Sequence, residues 1–234
     1  MAIQQLLSGV RHFEGHVYAA QREFFKKLAE GQSPETLFVT CSDSRIDPNL
    51  ICQTQPGELF ILRNAGNIIP AYTPHGGGGE IASIEFAITG LAVKHIIVCG
   101  HSHCGAMGGL IEPKQLSEMP AVADWLKHSE ATRRILELKY KKMSKSNRLD
   151  IAIQENVLTQ IENLQTHPSV SAALAMGQLS LHAWTYQIEE GRVYAYDTAV
   201  EQFVPLKEAD MSEKKTHTRG QEARSAKSKV GNLT

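Results

Sequence analysis

Hydrophobic residues between positions 3 and 28 recur mostly every three or four residues, at Ile3, Leu6, Leu7, Val10, Phe13, Val17, Phe24 and Leu28. That is the period of an amphipathic helix. Gly15 is a candidate break within it, and Gly31, with Ser33-Pro34 beyond, ends it. The pattern then changes. Leu37-Phe38-Val39 is a short, wholly apolar run, as expected of a strand buried on both faces. Residues 59–62 repeat that pattern after a Pro56-Gly57 turn, and residues 95–99 form a third such run. Helical spacing occupies 80–91 through Ile81, Ile84 and Ile88, and again 122–140 and 151–164, the last bounded by His167-Pro168. Two more strands are predicted over 179–188 and 193–196, joined by a Glu-Glu-Gly turn. From about Glu208 the hydrophobic pattern stops.

Strands alternating with helices predict an α/β fold with a central, mostly parallel sheet flanked by helices. An N-terminal helical arm (1–30) precedes the α/β domain (31–207), which closes in a C-terminal strand hairpin. Residues 208–234 contain too little apolar surface to offset their ordering entropy and read as a disordered tail. In parallel sheets ligands gather at the carboxyl ends of the strands. The first and third apolar runs end just before Cys41 and His101, which share one edge if those strands are neighbours.

Charge and cysteine usage narrow the function classes. A net charge of −1 over 234 residues gives no electrostatic reason to expect a nucleic-acid or membrane partner. No stretch reaches the ~18 apolar residues of a membrane span. Arg11, Glu14, Arg22 and Glu23 interrupt any signal-peptide core, so a cytoplasmic setting is expected. Four cysteines in a chain this long do not suggest a disulfide scaffold. Cys52 and Cys99 read as ordinary buried residues. Cys41 and Cys104 have a better use.

Cys41-Ser42-Asp43-Ser44-Arg45 and His101-Ser102-His103-Cys104 together offer two thiolates and an imidazole, the ligand set of a zinc site with one position left for chemistry. Cys41, His101 and Cys104 are the candidate ligands. His103 competes with His101, which is better placed directly after the strand. Asp43 either closes the site as a fourth ligand or accepts a hydrogen bond from water in the open position, where zinc lowers the water pKa from ~15.7 toward ~7. Arg45 favours the second role, because a bidentate guanidinium would draw the carboxylate off the metal. Gly76 to Gly79 is a flexible connection rather than a phosphate cradle, since Glu80 stands where a cradle needs Lys and Ser or Thr.

These segments, with Arg63-Asn64-Ala65-Gly66-Asn67 and Gly100 to Gly105, resemble the three signature segments of the β-class carbonic anhydrases, and the resemblance covers roughly residues 1–206. It implies reversible hydration of carbon dioxide to bicarbonate and a proton by zinc-bound hydroxide, with the Asp43–Arg45 pair controlling the open position. It implies that Gln32 serves the site of a neighbouring subunit, that Phe60 and Ala65 surround the carbon dioxide, and that the Gly105 amide donates to substrate. A homodimer or higher homo-oligomer is expected, its helical arm wrapped around the partner. Phe38 stands where some bacterial members carry a tryptophan of an inhibitory bicarbonate site, and Gly77, near Tyr72 and His75, where another subgroup has a tyrosine. The wording of residues 63–70, 126–128 and 164–168 resembles two bacterial groups, one packaged in carboxysomes, where the tail would dock a shell or scaffold protein, and one that accompanies cyanase. The same zinc set would also serve a carbon disulfide or carbonyl sulfide hydrolase, and a non-catalytic zinc protein is the alternative of a different class.

Overall fold

The computed structural model of the protein describes residues 2–74 and 78–206. The predicted tail and, within the glycine-rich loop, His75, Gly76 and Gly77 lie outside the described residues. The chain divides after Ser33 into two compact units.

The first unit is helical. Helix α1 (Ile3–His12) runs into a π-helical turn (Phe13–Tyr18), and α2 (Arg22–Ala29) follows. The break falls at Gln21, whose φ of −119° leaves the helical region, and Gly15 stays inside the π turn. Aromatic packing accounts for this position: Phe13 and Tyr18 each place their rings 5.5 Å from Phe25, with Phe24 at 5.3 Å. Neither α1 nor α2 contains a buried residue.

The second unit carries the sheet. Its elements are β1 (Thr36–Cys41), α3 (Pro48–Cys52), β2 (Leu59–Asn64), α4 (Gly79–Glu85), β3 (His95–His101), α5 (Gly105–Ile111), α6 (Pro120–Trp125), α7 (Glu130–Lys139), α8 (Lys145–Gln165), α9 (Pro168–Ala175), β4 (Ser180–Gln187), β5 (Arg192–Asp197) and β6 (Gln202–Pro205). The strand order is β2-β1-β3-β4-β5-β6. The first three pairings are parallel and the last two antiparallel. Helical patterning over 122–140 resolves into α6, a 3₁₀ turn (Leu126–Ser129) and α7, because burying both Leu126 and Ser129 re-phases the inward face. The helix expected over 80–91 is α4 followed by a π-helical turn (Phe86–Gly90). Three short elements, α3, α9 and β6, carry too few residues for periodicity to reveal.

Both faces of the central strands are covered, which is why β1 and β3 are apolar without alternation. Leu37, Val39, Ile96 and Val98 belong to one core with Ile84 of α4, Val157, Ile161 and Leu164 of α8, and Val170 of α9. Phe38, Ile97 and Cys99 form a smaller core with Trp184, whose ring lies edge-on 6.2 Å from that of Phe38. Each such buried aliphatic side chain contributes about 1.5–3 kcal/mol. Gly100 lets β3 reach its end against α8, since a Cβ there would lie 2.9 Å from Val157 Cγ2. Among the described residues no helix is long and apolar enough to cross a membrane.

Candidate metal centre

Parallel pairing brings the ends of three strands together. Cys41 pairs with Asn64 and Thr40 with Cys99, so Cys41 and His101 emerge at one carboxyl edge beside the loop that follows β2. Cys104 arrives as the N-cap residue of α5. The ligand atoms of Cys41, His101 and Cys104 all lie within 4.8 Å of one another, and all three residues are buried. They form a cluster that could hold a metal ion, the one such group among the described residues.

The ligating atoms fit a dication. His101 Nδ1 faces the Ser102 carbonyl oxygen at 2.8 Å, which fixes the ring, and His101 Nε2 is buried with no hydrogen-bond partner. A buried polar atom left without a partner is costly unless something outside the protein meets it. Cys41 is the more acidic of the two thiols. The Cys104 thiol donates to it and the Gly66 amide donates to its Sγ at 3.3 Å, both favouring the thiolate, whereas Cys104 is pushed up by the same contact and by burial. Sulfur, nitrogen and sulfur in a dry, three-sided cluster match the donors zinc takes with a fourth position left over.

Asp43 and Arg45 sit beside it. Arg45 Nε donates to Asp43 Oδ1 at 2.9 Å and Nη2 to Oδ2 at 2.8 Å, a bidentate pair, and the Arg45 amide adds a third bond to Oδ1 at 3.0 Å. These bonds from Arg45 hold the Asp43 carboxyl well below the usual carboxylate range. Asp43 Oδ2 lies 3.9 Å from His101 Nε2, so the carboxylate borders the cluster while remaining committed to Arg45. Arg63 pins the approach from behind, with Nε on the Cys41 carbonyl oxygen at 3.0 Å and Nη2 on that of Asp43 at 2.8 Å.

The loop after β2 supplies the donor to Cys41, and the sequence did not announce how. Gly66 has φ of +83°, and a Cβ there would stand 3.0 Å from that of Ala106, so only glycine brings its amide to the sulfur without strain. Asn156 of α8, fully within the core, donates to the Gly66 carbonyl oxygen at 3.0 Å, and Trp125 Nε1 donates to that of Ala65 at 2.8 Å. Gln160 of α8 accepts from the Ile69 amide at 2.8 Å. Arg63 and Gly66 were visible as part of a signature, but their bonds were not. Asn156 and Gln160 looked like polar positions on an amphipathic helix, and nothing in their spacing marked them as buried.

The remaining candidates lie on several elements. Phe60 lies in β2 with its ring 6.0 Å from that of Phe86, Ala65 is the half-buried residue after β2, and Gly105 opens α5 next to Cys104. Gln32 is exposed and belongs to the first unit. The His103 ring turns outward, 63% of its side chain exposed, so His101 rather than His103 enters the cluster.

Comparisons with known proteins agree with this geometry. A family model described as carbonic anhydrase matches residues 36–193. The carbonic anhydrase of Synechocystis sp. is 49% identical over 86% of this chain and 74% of its own length. That of Pseudomonas aeruginosa is 47% identical over 88% and 93% respectively. The solved β-carbonic anhydrase CcaA superposes with a TM-score of 0.84 at 49% identity, covering 87% of this chain and 99% of that one. This chain belongs to the β-class carbonic anhydrases. A β-carbonic anhydrase of Sordaria macrospora described as tetrameric is 31% identical with a TM-score of 0.75, covering 82% of this chain and 95% of that one. Hydration of carbon dioxide is the general reaction of the family, and the buried Cys-His-Cys cluster is where its zinc would be held.

Proposed function

We propose that this chain interconverts carbon dioxide and bicarbonate, with Cys41, His101 and Cys104 holding zinc and Asp43 with Arg45 governing the fourth position. The observation that carries the reading is the bidentate Asp43–Arg45 pair beside the cluster. Zinc, when bound, supplies the Lewis acidity that makes water a nucleophile near neutral pH.

The protein's own groups do the rest. Two thiolates already neutralise a dication, so a carboxylate at the fourth position would bring a third anion. Arg45 offsets the charge of Asp43 and occupies its oxygens, keeping the carboxylate out of that position. Oδ2 accepts one bond from Arg45 and keeps lone-pair capacity toward the cluster, from which it accepts a proton-donating bond and so orients the attacking water. Phe60 and Ala65 offer apolar surface to carbon dioxide, and the Gly105 amide donates to the oxygen that becomes negative. Gln32 of the partner subunit completes the contact in a homodimer or larger assembly. Support for assembly comes from the first unit, where Ile3, Leu6 and Val10 of α1 are more than half exposed. Phe38 is wholly buried and presents no donor in place of an indole, which favours bicarbonate acting as product rather than inhibitor.

Stopped-flow mixing of the zinc-loaded protein with dissolved carbon dioxide and a pH indicator tests this directly. Acidification far above the buffer rate is expected, rising with pH through neutrality. A rate equal to buffer alone from fully zinc-loaded protein would overturn the reading.

A further inference from the structure

The two ligands on the second side of the cluster are separated by Ser102 and His103, and both of these are gripped from outside by one carboxylate. Glu189 stands in the turn between β4 and β5. Its Oε2 accepts from Ser102 Oγ at 2.7 Å and its Oε1 faces His103 Nε2 at 3.2 Å. Ser102 is 2% exposed and its hydroxyl also accepts from the Ile188 amide at 2.9 Å, while its own amide donates to the Tyr186 carbonyl oxygen at 2.9 Å. Three bonds from the turn and one from the end of β4 thus hold the loop between His101 and Cys104.

The consequence reaches Arg45 through backbone conformation. His103 has φ of +57°, a left-handed conformation that a non-glycine residue keeps only when its surroundings over-determine it. In that conformation its carbonyl oxygen accepts from Arg45 Nη2 at 3.2 Å, the same nitrogen that binds Asp43 Oδ2. The ring bond to Glu189 is a tertiary contact of the His103 side chain, which is otherwise 63% exposed.

We propose that Glu189 is a positioning residue for this site: by holding Ser102 and His103 it sets the loop that carries His101 and Cys104 and aims the His103 carbonyl at Arg45. It acts at a distance on two things at once, the retention of metal and the Asp43–Arg45 pair. The inference rests on the zinc reading of the cluster and deepens it. Removing Glu189 frees His103 to relax toward an ordinary backbone conformation, which withdraws the carbonyl from Arg45 and loosens the approach to Cys104.

The test uses the full-length, zinc-loaded protein and its Glu189→Ala and Glu189→Gln variants, with Glu137→Ala as a control that removes an ordinary surface ion pair to Arg133. Zinc transfer to a chromophoric chelator is timed, and kcat and KM for carbon dioxide are measured separately. Glu189→Ala should release zinc about tenfold faster, the lower end of what supporting partners of metal ligands contribute, and should lower kcat with KM unchanged. Glu189→Gln retains an oxygen for Ser102 Oγ and a second polar group within reach of the His103 ring, so it should restore both quantities most of the way. Zinc release from Glu189→Ala within about twofold of wild type, or equal acceleration by Glu137→Ala, would overturn the proposal. Zinc release is read without turnover, so it decides the role of Glu189 even if carbon dioxide is not the substrate.

Discussion

Cys41 and Cys99 lie on neighbouring parallel strands, almost in register, and both are buried, yet they are opposite kinds of thiol. Cys99 sits in the small core with Phe38 and Ile97, its thiol makes only a weak donation to the Gly100 carbonyl oxygen at 3.4 Å among the described residues, and burial pushes it up. Cys41 is one step further along, where the strand ends and the backbone opens. There the Cys104 thiol and the Gly66 amide meet its sulfur and make the thiolate the favoured form. Burial alone makes a cysteine inert; burial plus aimed donors makes its thiolate available to a metal. The difference is positional, set by where β1 stops and which loop lies beside it.

The largest effect that can break this comparison is loss of the metal. Cys41→Ser, His101→Ala and Cys104→Ser each remove one of three proposed ligands, and each should reduce zinc to a small fraction of one equivalent by elemental analysis, with activity lost in step. Full occupancy in any of the three would reassign the cluster. Next in size is the Asp43–Arg45 pair, which borders the cluster at His101. Asp43→Asn and Arg45→Ala should retain zinc while kcat falls by roughly 10²-fold, the scale set by removing one preorganised polar group from an active site. Wild-type turnover by Arg45→Ala between pH 7 and 9 would remove Arg45 from the control of the fourth position.

Burial disfavours a positive charge as it does a negative one, and His182, half-buried with its Nε2 3.2 Å from His95 Nδ1, carries the Cys99 side of the comparison to a base. Burial, assisted by repulsion from His95, pulls its pKa down to about 4. Above pH ~6.5 it is neutral in both folded and unfolded chains and contributes nothing to pH dependence. Between ~6.5 and ~4 the unfolded chain takes up a proton that the folded one refuses, so stability falls as pH falls through that window, by at most about 3 kcal/mol. His182→Gln should flatten that part of a denaturation series, and an unchanged slope would show that the ring protonates freely in the fold. The smallest effect belongs to Cys99 itself. Cys99→Ala should leave zinc content and kcat unchanged and cost about 1 kcal/mol by chemical denaturation, the scale of a small core deletion. A loss of zinc from Cys99→Ala would mean that the two thiols are not separable.

Much of the central sheet was legible because buried parallel strands are written as unbroken apolar runs, and 37–39, 59–62 and 95–99 all became strands that extend a few residues further. The helical arm was legible in outline, but its break was not: Gln21 carries no breaking signal, and the cause is ring packing around Phe25. The third strand of the C-terminal antiparallel part, β6, escaped because four residues cannot establish a period. At the site, Cys41, His101 and Cys104 could be named from residue type and spacing, since thiolates and imidazole are scarce and chemically distinctive. Gly66 was visible only as part of a signature, and Asn156 and Glu189 not at all, because glycine, asparagine and glutamate are common and their importance lies in what they touch.

What the sequence determined by itself is therefore the inventory: which groups can bind a metal, which pair can restrain a carboxylate, and which segments must be buried to deliver them. Those follow from side-chain chemistry and local periodicity, which act over a few residues. Only the tertiary structure decided that β1 lies between β2 and β3, that the Gly66 amide reaches the Cys41 sulfur, and that Glu189, eighty-seven residues beyond Ser102, accepts from its hydroxyl. Those contacts join segments far apart in the chain, and they depend on strand order, left-handed backbone at Gly66 and His103, and the packing of α8, none of which local pattern encodes.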